Sequence, residues 1–477
     1  MGGVSHPTPT APNLTEARAA RPLRPAHNWG RHATTELTPA PPPLLLGLDI
    51  GTSRTKAVLV DGDGREVAAA AVATPFSSAG GGVEMEVDAL HRCVRAVVAE
   101  LGDRRTQVVA AGLAGMAESG APLDAGGRAL APVIAWHDGR GEEAAAKLRH
   151  HFGPDLDLRI GQPVRTILTV AKLGWLVDHG MTGMVRWLGV PELVLQKLTG
   201  AEATEFSLAA RSGCYDVTTL EWIPHVGDVL RFSTDVFPEI RPAGSVMGRV
   251  SGDGAAWSGL PHGIPVTVAG HDHPVGMAGA GVGRRDAANS VGTAETVLAR
   301  TTAVPDLALV LAERVRLTVY PGGREWAALV GAARAGLVLE AAAVALGRSL
   351  AELDRLAEDA SPVDVGQAVD DLAHGAPAPL PDAPAGAVWA GLLQALTART
   401  IDGYARLAKV AGGRERLVVF GGGSASVPWL RAKAVASPIP VVRSPVTTAV
   451  ARGAALYAGV AAGWWEAEEG PPAERPD

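Results

Sequence analysis

At 477 residues, the chain is long enough for two or three domains, and its hydrophobic content of 47% allows a substantial core. A net charge of −7 at pH 7 argues against non-specific binding to nucleic acid, and the sequence has no apolar run long enough for a transmembrane helix. Two cysteines, Cys93 and Cys214, argue against a disulfide framework and favour a cytoplasmic protein whose thiols are inert packing residues.

The two ends of the chain differ in composition from the rest. Residues 1–43 contain nine prolines, few large apolar residues and no periodicity, which predicts a disordered extension. The arginines of this segment are compatible with a transit peptide, but Glu16 and Glu36 argue against one. Residues 464–477 are acidic and rich in proline, so we expect a second disordered segment there.

The first folded segment predicts a buried strand, a tight polar turn and a second strand. Leu44–Ile50 is almost continuously apolar, as in a strand covered on both faces, and only Asp49 interrupts it. Burying a charge is costly unless it is compensated, and a magnesium–phosphate complex would compensate this one. Residues 51–53 add two hydroxyls and backbone N–H groups that could face phosphate oxygens. An ordinary hairpin in which Asp49 caps a turn is the alternative.

Strands then alternate with helical patterns, which predicts an α/β architecture. Asp88 is the predicted N-cap of the first helix. The predicted helices are Asp88–Leu101, Val164–His179, Pro191–Leu198 and Ala387–Ala408, and the predicted strands include Gln107–Leu113, Val266–Gly270 and Leu417–Phe420.

A second hairpin near the middle of the chain repeats the first. Asn289–Leu298 again predicts a strand, a Gly-Thr turn and a strand. Two phosphate-type hairpins about 240 residues apart indicate two related lobes, with a nucleotide between them. We place the boundary near Gly281–Arg285, so that residues 44–284 form the first lobe and residues 285–463 the second.

The first hairpin resembles the first phosphate motif of the actin-like ATPase superfamily, whereas a Walker-type P-loop is absent. Five signals follow one another: the Asp49 hairpin, Trp136–Arg140, Gly270–His273, Gly292-Thr293 and Gly421–Ser424. In this order they resemble the FGGY family of carbohydrate kinases, from about Leu44 to Gly463. The resemblance implies an α/β fold of two ribonuclease-H-like (actin-like ATPase) lobes with a central interlobe cleft. It also implies ATP-dependent phosphorylation of a hydroxyl on a sugar, polyol or sugar acid.

In that family, an aspartate at the position of Asp272 is the general base. A carboxylate that accepts the hydroxyl proton would help to make the sugar oxygen nucleophilic. His271 and His273 would line the sugar pocket or brace Asp272. Two alternatives are a metal site built from these three residues and a turn carboxylate that caps the helix near Pro274.

The resemblance also implies the ATP and magnesium contacts. Asp49 would hold Mg²⁺, mostly through water. The β- and γ-phosphates would contact Gly51, Thr52, Ser53, Gly292 and Thr293, and the adenosine would lie on Gly421, Gly422, Gly423 and Ser424. A plain helix-entry loop is the alternative for the triple glycine.

The sugar site is expected in the first lobe, where Gly112–Asp124 is similar to the family segment that contacts substrate hydroxyls. The centre of this segment, Met116–Ser119, matches neither the Gln-Met-His-Gly of xylulokinases nor the Gln-Arg-Glu-Thr of glycerol kinases. Glu118 is therefore the best-placed specificity residue, with a surface-loop acid as the alternative. Trp136 would stack on an apolar sugar face unless it is a core residue. Asp138 and Arg140 would brace the pocket through an ion pair.

Two stretches of the second lobe depart from the family pattern. We assign no sites in Thr301–Pro384 beyond a glycine segment at Gly331–Gly336, and Thr447–Ala449 lacks the acidic residue that many relatives have. Two rival functions remain, an actin- or Hsp70-like ATPase with a conformational output and a degenerate kinase that acts as a sugar- or nucleotide-binding regulator. The expected partner is a small sugar or polyol, and a homodimer is possible.

Overall fold

The computed structural model of the chain describes residues 1–2, 42–79, 81–373 and 379–466. The predicted Pro-rich extension and acidic tail lie almost entirely outside these residues. Among the helices that the structure describes, none is both long enough and apolar enough to cross a membrane. Cys93 and Cys214 are free and buried, as expected for packing residues.

The first large sheet contains the first predicted hairpin. Within the described residues its spatial order is Gly248–Arg249, Pro265–His271, Val108–Gly115, Leu44–Ile50, Arg54–Val60 and Glu66–Ala73. The three central strands are parallel, and Ile50 and His271 both pair with Gly115. Because parallel strands end at the same edge of a sheet, the residues that follow these three positions meet there. This edge therefore collects the first hairpin turn, the Glu118 segment and Asp272.

The second large sheet repeats this arrangement. Its spatial order within the described residues is Arg316–Val319, Trp326–Ala333, Glu295–Thr301, Ala287–Val291, Leu417–Phe420 and Val441–Arg443. The strand Ala287–Val291 pairs antiparallel with Glu295–Thr301 and parallel with Leu417–Phe420. The second hairpin turn and the triple glycine therefore lie at one edge, as their counterparts do in the first sheet. Both predicted hairpins and the Leu417–Phe420 strand are present.

Smaller elements surround the two sheets. A third sheet comprises Ser77–Ala79, Gly82–Met85, Val133–Ile134, Gly120–Leu123 and Arg186–Gly189, and Tyr215–Asp216 pairs with Glu221–Trp222. The described α-helices are Val87–Ala99, Glu142–Phe152, Pro154–Ile160, Thr169–Asp178, Val190–Thr199, Phe206–Ala209, Pro224–Leu230, Gly252–Ser258, Asp272–Gly279, Leu307–Ala312, Ala335–Leu346, Leu350–Ala357, Ala368–Ala373, Ala385–Ala411, Val427–Ala436 and Ala449–Ala461. Short 3-10 helices span Gly102–Gln107, Thr234–Val236 and Gly422–Ala425.

The helices Asp272–Gly279 and Ala449–Ala461 pack against each other beside the first sheet. The last helix lies close to the first sheet because two strand residues are glycines. A Cβ on Gly47 or Gly112 would lie 1.8 Å from a carbonyl oxygen of this helix. Met277 of the first of these helices also packs against the second sheet. The last helix was assigned to the second lobe from the sequence, yet its alanines share a core with strands of the first sheet. Ala449 of the same helix packs with strands of the second sheet, so this helix contacts both sheets.

Three local predictions need correction. Asp88 lies in the first turn of its helix, and Glu86 is the N-cap residue. The helix predicted from Val164 begins at Thr169, because the residues after Pro163 form a turn in which Leu168 N–H donates to Arg165 O. The predicted tail starts too early, since Trp464 and Trp465 pack against the core beside the last helix.

Candidate functional site

The turns of the two phosphate-type hairpins meet. The Ser53 and Thr293 hydroxyl oxygens are 3.0 Å apart, although the residues are 240 positions apart in sequence. The Thr52 hydroxyl accepts a hydrogen bond from the Trp136 indole at 2.9 Å. Gly51 differs from the expectation, because its N–H donates to Arg54 O across the turn and is not free for a phosphate.

Asp49 lies near the end of its strand and is 4% exposed. Burial raises the pKa of Asp49 to about 6, and the nearby Asp272 carboxylate adds to this effect. Lys56 opposes it, with Nζ 3.4 Å from Asp49 Oδ2. Two neighbouring carboxylates with one partly exposed lysine form an oxygen-rich, negatively charged site. Such a site suits a divalent cation, and its carboxylate oxygens are ligands that Mg²⁺ accepts.

Asp272 is the first residue of a helix and directly follows a buried strand of the first sheet. His271 Nε2 lies 3.1 Å from Asp272 Oδ1, and the His273 backbone N–H donates to the same oxygen at 2.7 Å. The ligand atoms of these three residues lie within 4.8 Å of one another, so the metal-site alternative stays geometrically open. However, Oδ1 already accepts two hydrogen bonds from protein groups.

The two histidines keep Asp272 ionised. Burial acts to raise the pKa of Asp272, but His273 and His271 outweigh it, and the pKa lies below its ordinary value. Burial lowers the pKa of His273 to about 4, so its imidazole is neutral near pH 7. His273 Nδ1 lies 3.3 Å from Ser290 Oγ of the second sheet. Asp272 is therefore positioned by His271 and His273, and His273 in turn contacts the second sheet.

A buried carboxylate, Glu205, supports the catalytic segment from behind. It accepts hydrogen bonds from the Ser207 hydroxyl and from Gly322 N–H, the latter at 2.8 Å. The Ser207 hydroxyl oxygen in turn accepts from His271 N–H at 2.9 Å. Gly270 has φ +121°, and a Cβ there would lie 2.3 Å from Ser207 Oγ, so glycine is required. The chain Gly322–Glu205–Ser207–His271 links a loop of the second sheet to Asp272.

Glu118 is buried, which contradicts the surface-loop alternative. It has a left-handed backbone with φ 60°, which is uncommon for a non-glycine residue. Its Oε1 accepts hydrogen bonds from Arg211 Nε, at 2.7 Å, and Arg211 Nη2. Arg211 Nη1 donates to Gln162 Oε1 at 2.7 Å. Glu118 thus forms an ion pair with a residue about 90 positions away in sequence, which leaves less of its carboxylate for sugar hydroxyls than the sequence suggested.

The Trp136–Arg140 segment is fixed by internal contacts. Arg140 pairs with Asp138 through Nε at 2.9 Å and Nη2 at 2.7 Å, so the predicted ion pair is present. Arg140 Nη1 also donates to Glu84 at 2.6 Å, and Val83 N–H donates to Asp138 at 2.7 Å. Because their charged atoms have protein partners, Asp138 and Arg140 position the segment, and the structure does not support direct substrate contacts by them. Trp136 is half-buried and packs on the core with one edge bonded to Thr52.

The triple glycine separates into packing and open positions. Gly421 has φ +96°, and a Cβ there would lie 2.5 Å from Val291 O, so this residue must be glycine. A Cβ on Gly423 would lie 2.3 Å from Val291 Cγ1, whereas one on Gly422 would meet nothing within 4 Å. The Ser424 hydroxyl donates to Gly421 O at 2.7 Å and is buried. Gly422 is therefore the position best exposed to a nucleotide.

The glycine segment Gly331–Gly336 is also close to the second hairpin. A Cβ on Gly336 would lie 2.7 Å from Gly292 O, and Gly336 N–H donates to Thr293 O at 3.2 Å. In Thr447–Ala449, the other segment that differs from the family pattern, the Thr448 hydroxyl forms a hydrogen bond with Glu66 of the first sheet.

Sequence reasoning missed several residues of the site. Arg211, Gln162, Glu205 and Ser207 lie on loops or short helices and belong to no motif that spacing could reveal. Their position beside Glu118 and His271 follows from the tertiary fold. Only their residue types, charged or polar within otherwise apolar stretches, could have signalled a role.

Comparisons with known proteins point to a single family. A model of the FGGY family of carbohydrate kinases, N-terminal domain, matches residues 44–279. The chain belongs to the FGGY family of carbohydrate kinases. An L-fuculokinase of Salmonella typhi is 28% identical over 290 residues, covering 58% of this chain and 59% of that protein. The chain therefore spans little more than half the length of that relative.

Other FGGY proteins match over most of the chain. A glycerol kinase of Aromatoleum aromaticum is 26% identical over 464 residues, or 89% of this chain and 91% of the relative. The xylulose kinase of Rhodospirillum rubrum has a TM-score of 0.73 and 25% identity over 88% of this chain and 92% of its own. Plasmodium falciparum glycerol kinase with ADP has a TM-score of 0.75 and 18% identity, over 91% and 93%. The predicted fold of two actin-like lobes is confirmed.

Proposed function

We propose that this FGGY protein transfers the γ-phosphoryl group of ATP to a hydroxyl of a sugar, polyol or sugar acid. The observation that carries the proposal is the position of Asp272. Its ionised carboxylate interacts electrostatically with Asp49 of the first hairpin, and the adjacent His273 contacts Ser290 of the second sheet. Relatives named as fuculokinases, gluconokinases and glycerol kinases support the reaction class.

In this proposal, Asp272 accepts the proton of the acceptor hydroxyl as its oxygen attacks the γ-phosphorus. The bond between that phosphorus and the β–γ bridging oxygen breaks, and ADP leaves with the bridging oxygen. The His273 backbone N–H and the His271 side chain contact Asp272 Oδ1, which favours the ionised form and fixes the direction of the carboxylate. Closure of the two lobes would exclude water as a competing acceptor.

The nucleotide would bind at the meeting point of the hairpins. The Ser53 and Thr293 hydroxyls would donate to the β- and γ-phosphates, with Thr52 and Gly292 beside them. Mg²⁺ held by Asp49 through water would neutralise the phosphate charge. Gly422 would lie against the adenosine, and Trp136 against an apolar face of the acceptor. A cytoplasmic location and a homodimer remain predictions from the sequence.

A coupled assay of ADP release tests the proposal. It would screen pentoses, hexoses, ketoses, polyols and sugar acids with Mg–ATP, and Asp272→Asn would be the matched control. We expect acceptor-dependent ADP release that this variant removes. Nucleotide binding without ADP release for any acceptor would favour the degenerate, ligand-binding alternative. Equal ADP release with and without acceptors would favour an ATPase with a conformational output.

A further inference from the structure

Three arginines interact with Glu118 at the expected sugar site, one through an ion pair and two electrostatically. Arg211 forms an ion pair with Glu118, and its side chain is 4% exposed. Arg165 and Arg316 interact electrostatically with both Arg211 and Glu118. Within the described part of the chain, neither Arg165 nor Arg316 has an ion pair or a side-chain hydrogen bond of its own. Glu118 thus has one arginine in direct contact and two more within electrostatic range.

Arg316 reaches this place from the second sheet. It begins the strand Arg316–Val319, and Leu317 N–H donates to Gly161 O at 2.8 Å. Gly161 precedes Gln162, the residue that accepts from Arg211. Backbone contact between the two segments therefore places Arg316 near Arg211, although Arg211 lies in the turn after the helix Phe206–Ala209 and Arg316 lies on a strand of the second sheet.

The Arg316 guanidinium also lies near the catalytic segment. It lies over Gly331, where a Cβ would be 2.9 Å from Arg316 Nη2. Gly331 pairs with Thr296, and Thr296 Oγ1 lies 3.5 Å from His273 Nε2. Arg316 and Arg211 both act on His273 electrostatically, which places their charge within range of the residue next to Asp272.

Gln162 supplies an independent sign of a missing acceptor. It is fully buried, and Oε1 is committed to Arg211 because a guanidinium can only donate. Its Nε2 has no hydrogen-bond partner among the described residues. A buried N–H group without an acceptor is unfavourable, because it has lost its hydrogen bonds to water. The Gln162 amide, Arg165 and Arg316 could therefore all donate hydrogen bonds to the oxygen atoms of one ligand.

The electrostatics agree with this geometry. Burial, Arg211 and Arg165 lower the pKa of Arg316 to about 9, so the side chain is still charged at pH 7. Burial and Arg211 also lower the pKa of Arg165. The other nearby carboxylate, Asp272, is held by His271 and His273. Around Glu118 itself, three arginines and one carboxylate leave an excess of positive charge that an anion would neutralise.

We propose that the acceptor is a sugar acid whose carboxylate binds Arg316, Arg211 and Gln162 while a hydroxyl reaches Asp272. A carboxylate offers two planar oxygens that match the guanidinium fork, which a hydroxyl does not. Arg165 is exposed, and its positive charge would attract the carboxylate of the sugar acid. This inference rests on the proposed kinase function and selects one of its substrate classes. The γ-phosphate of ATP is the competing anion, but its proposed contacts are Ser53 and Thr293, whereas the partners of Arg211 are Glu118 and Gln162.

The test compares matched acceptors that differ only in the terminal group, such as gluconate with sorbitol, xylonate with xylitol and erythronate with erythritol. Coupled ADP release gives kcat/KM for each at saturating Mg–ATP. We expect at least one acid to exceed its polyol by about 100-fold. Arg316→Gln should reduce this ratio by about 10- to 100-fold and leave the KM for ATP within about twofold. Arg231→Gln, at an exposed ion pair with Asp178, is the matched control and should change neither quantity.

Arg165→Gln is the second variant, because an exposed arginine without a partner can be replaced without loss of folding. It should lower the ratio of acid to polyol by several-fold. Equal use of acids and polyols by the wild type would overturn the inference while the kinase proposal stands. A higher KM for ATP in Arg316→Gln with an unchanged ratio would also overturn it, since the arginines would then serve the nucleotide. No ADP release with any acceptor would refute the kinase proposal itself.

Discussion

The Ser53 and Thr293 hydroxyl oxygens lie 3.0 Å apart and join the turns of two hairpins from different sheets. Neither hydroxyl has another side-chain hydrogen-bond partner among the described residues. Hydroxyls that meet only each other can turn towards an incoming acceptor at little cost. The contact therefore marks the place where a phosphate would separate the two turns.

Ser53→Ala and Thr293→Ala test whether the Ser53–Thr293 contact marks the phosphate site. Each change should raise the KM for ATP by about 5- to 30-fold and leave the KM for the acceptor within about twofold, since a hydroxyl bonded to a charged phosphate contributes roughly 1–2 kcal/mol. Ser245→Ala, at an exposed serine that donates to Pro242 O, is the control. A change in acceptor KM with no change for ATP would place the hairpins at the sugar.

Asp49 should destabilise the fold at neutral pH when no cation is bound. Its folded pKa, about 6, is above its ordinary value of 3.8, so the folded state favours the protonated acid. The free energy of unfolding therefore decreases as the pH rises from about 4 to 6. Asp49→Asn should raise the melting temperature by several degrees at pH 7.5 and by little at pH 4.

Magnesium with ADP should stabilise the two proteins to different extents. Mg²⁺ with ADP should raise the melting temperature of the wild type more than that of Asp49→Asn, because the cation neutralises the carboxylate. Equal stabilisation of both proteins would mean that Asp49 does not hold the metal. A variant less stable than the wild type at pH 7.5 would mean that the Lys56 contact outweighs burial.

The triple glycine offers a matched pair of substitutions. Gly421→Ala should lower the free energy of unfolding by about 2–4 kcal/mol, because the residue has φ +96° and its Cβ would collide with Val291 O. Gly422→Ala, which meets open space, should change stability by less than about 1 kcal/mol and raise the KM for ATP. Denaturant melts and ATP titrations on both variants decide this. Equal stability of the two variants would contradict the geometry described for Gly421.

Glu118→Gln should change acceptor preference more than ATP affinity. The substitution leaves Arg211 without a counter-charge in a buried place, so the acceptor site becomes more positive. Anionic acceptors should gain relative to neutral ones, and the melting temperature should decrease. Specificity constants over acids and polyols measure the effect, and uniform ratios without re-ranking would place Glu118 outside the acceptor site.

Sequence reasoning found the elements whose patterns are local. The apolar run with one carboxylate at Asp49 and the repeated Gly-Thr turn are readable because strand burial and turn chemistry act on neighbouring residues. The meeting of Ser53 with Thr293 agrees with the prediction of two related hairpins. Asp272 could be singled out because it follows a buried strand in a recognisable motif.

The charge partners could not be predicted. Glu118 was read as free for sugar hydroxyls, but Arg211 is brought to it by the path of the chain after the helix Phe206–Ala209. The ion pair of Asp138 with Arg140 was predicted, but the strand Gly82–Met85 supplies two further partners, Val83 N–H and Glu84, that the sequence does not reveal. Gly51 could not be excluded as a phosphate donor until its turn bond to Arg54 was known. Such contacts depend on tertiary packing, which leaves no periodic signal.

The central claim is that Asp272 accepts the proton from the acceptor hydroxyl, and Asp272→Asn tests it most directly. The amide keeps the size and the hydrogen-bond acceptor for His273 N–H but cannot take a proton at neutral pH. With the acceptor identified by the screen, kcat should decrease by about 10²- to 10⁴-fold while the dissociation constants for Mg–ATP and acceptor change by less than about threefold. A variant that keeps more than about a third of the wild-type turnover would contradict the account.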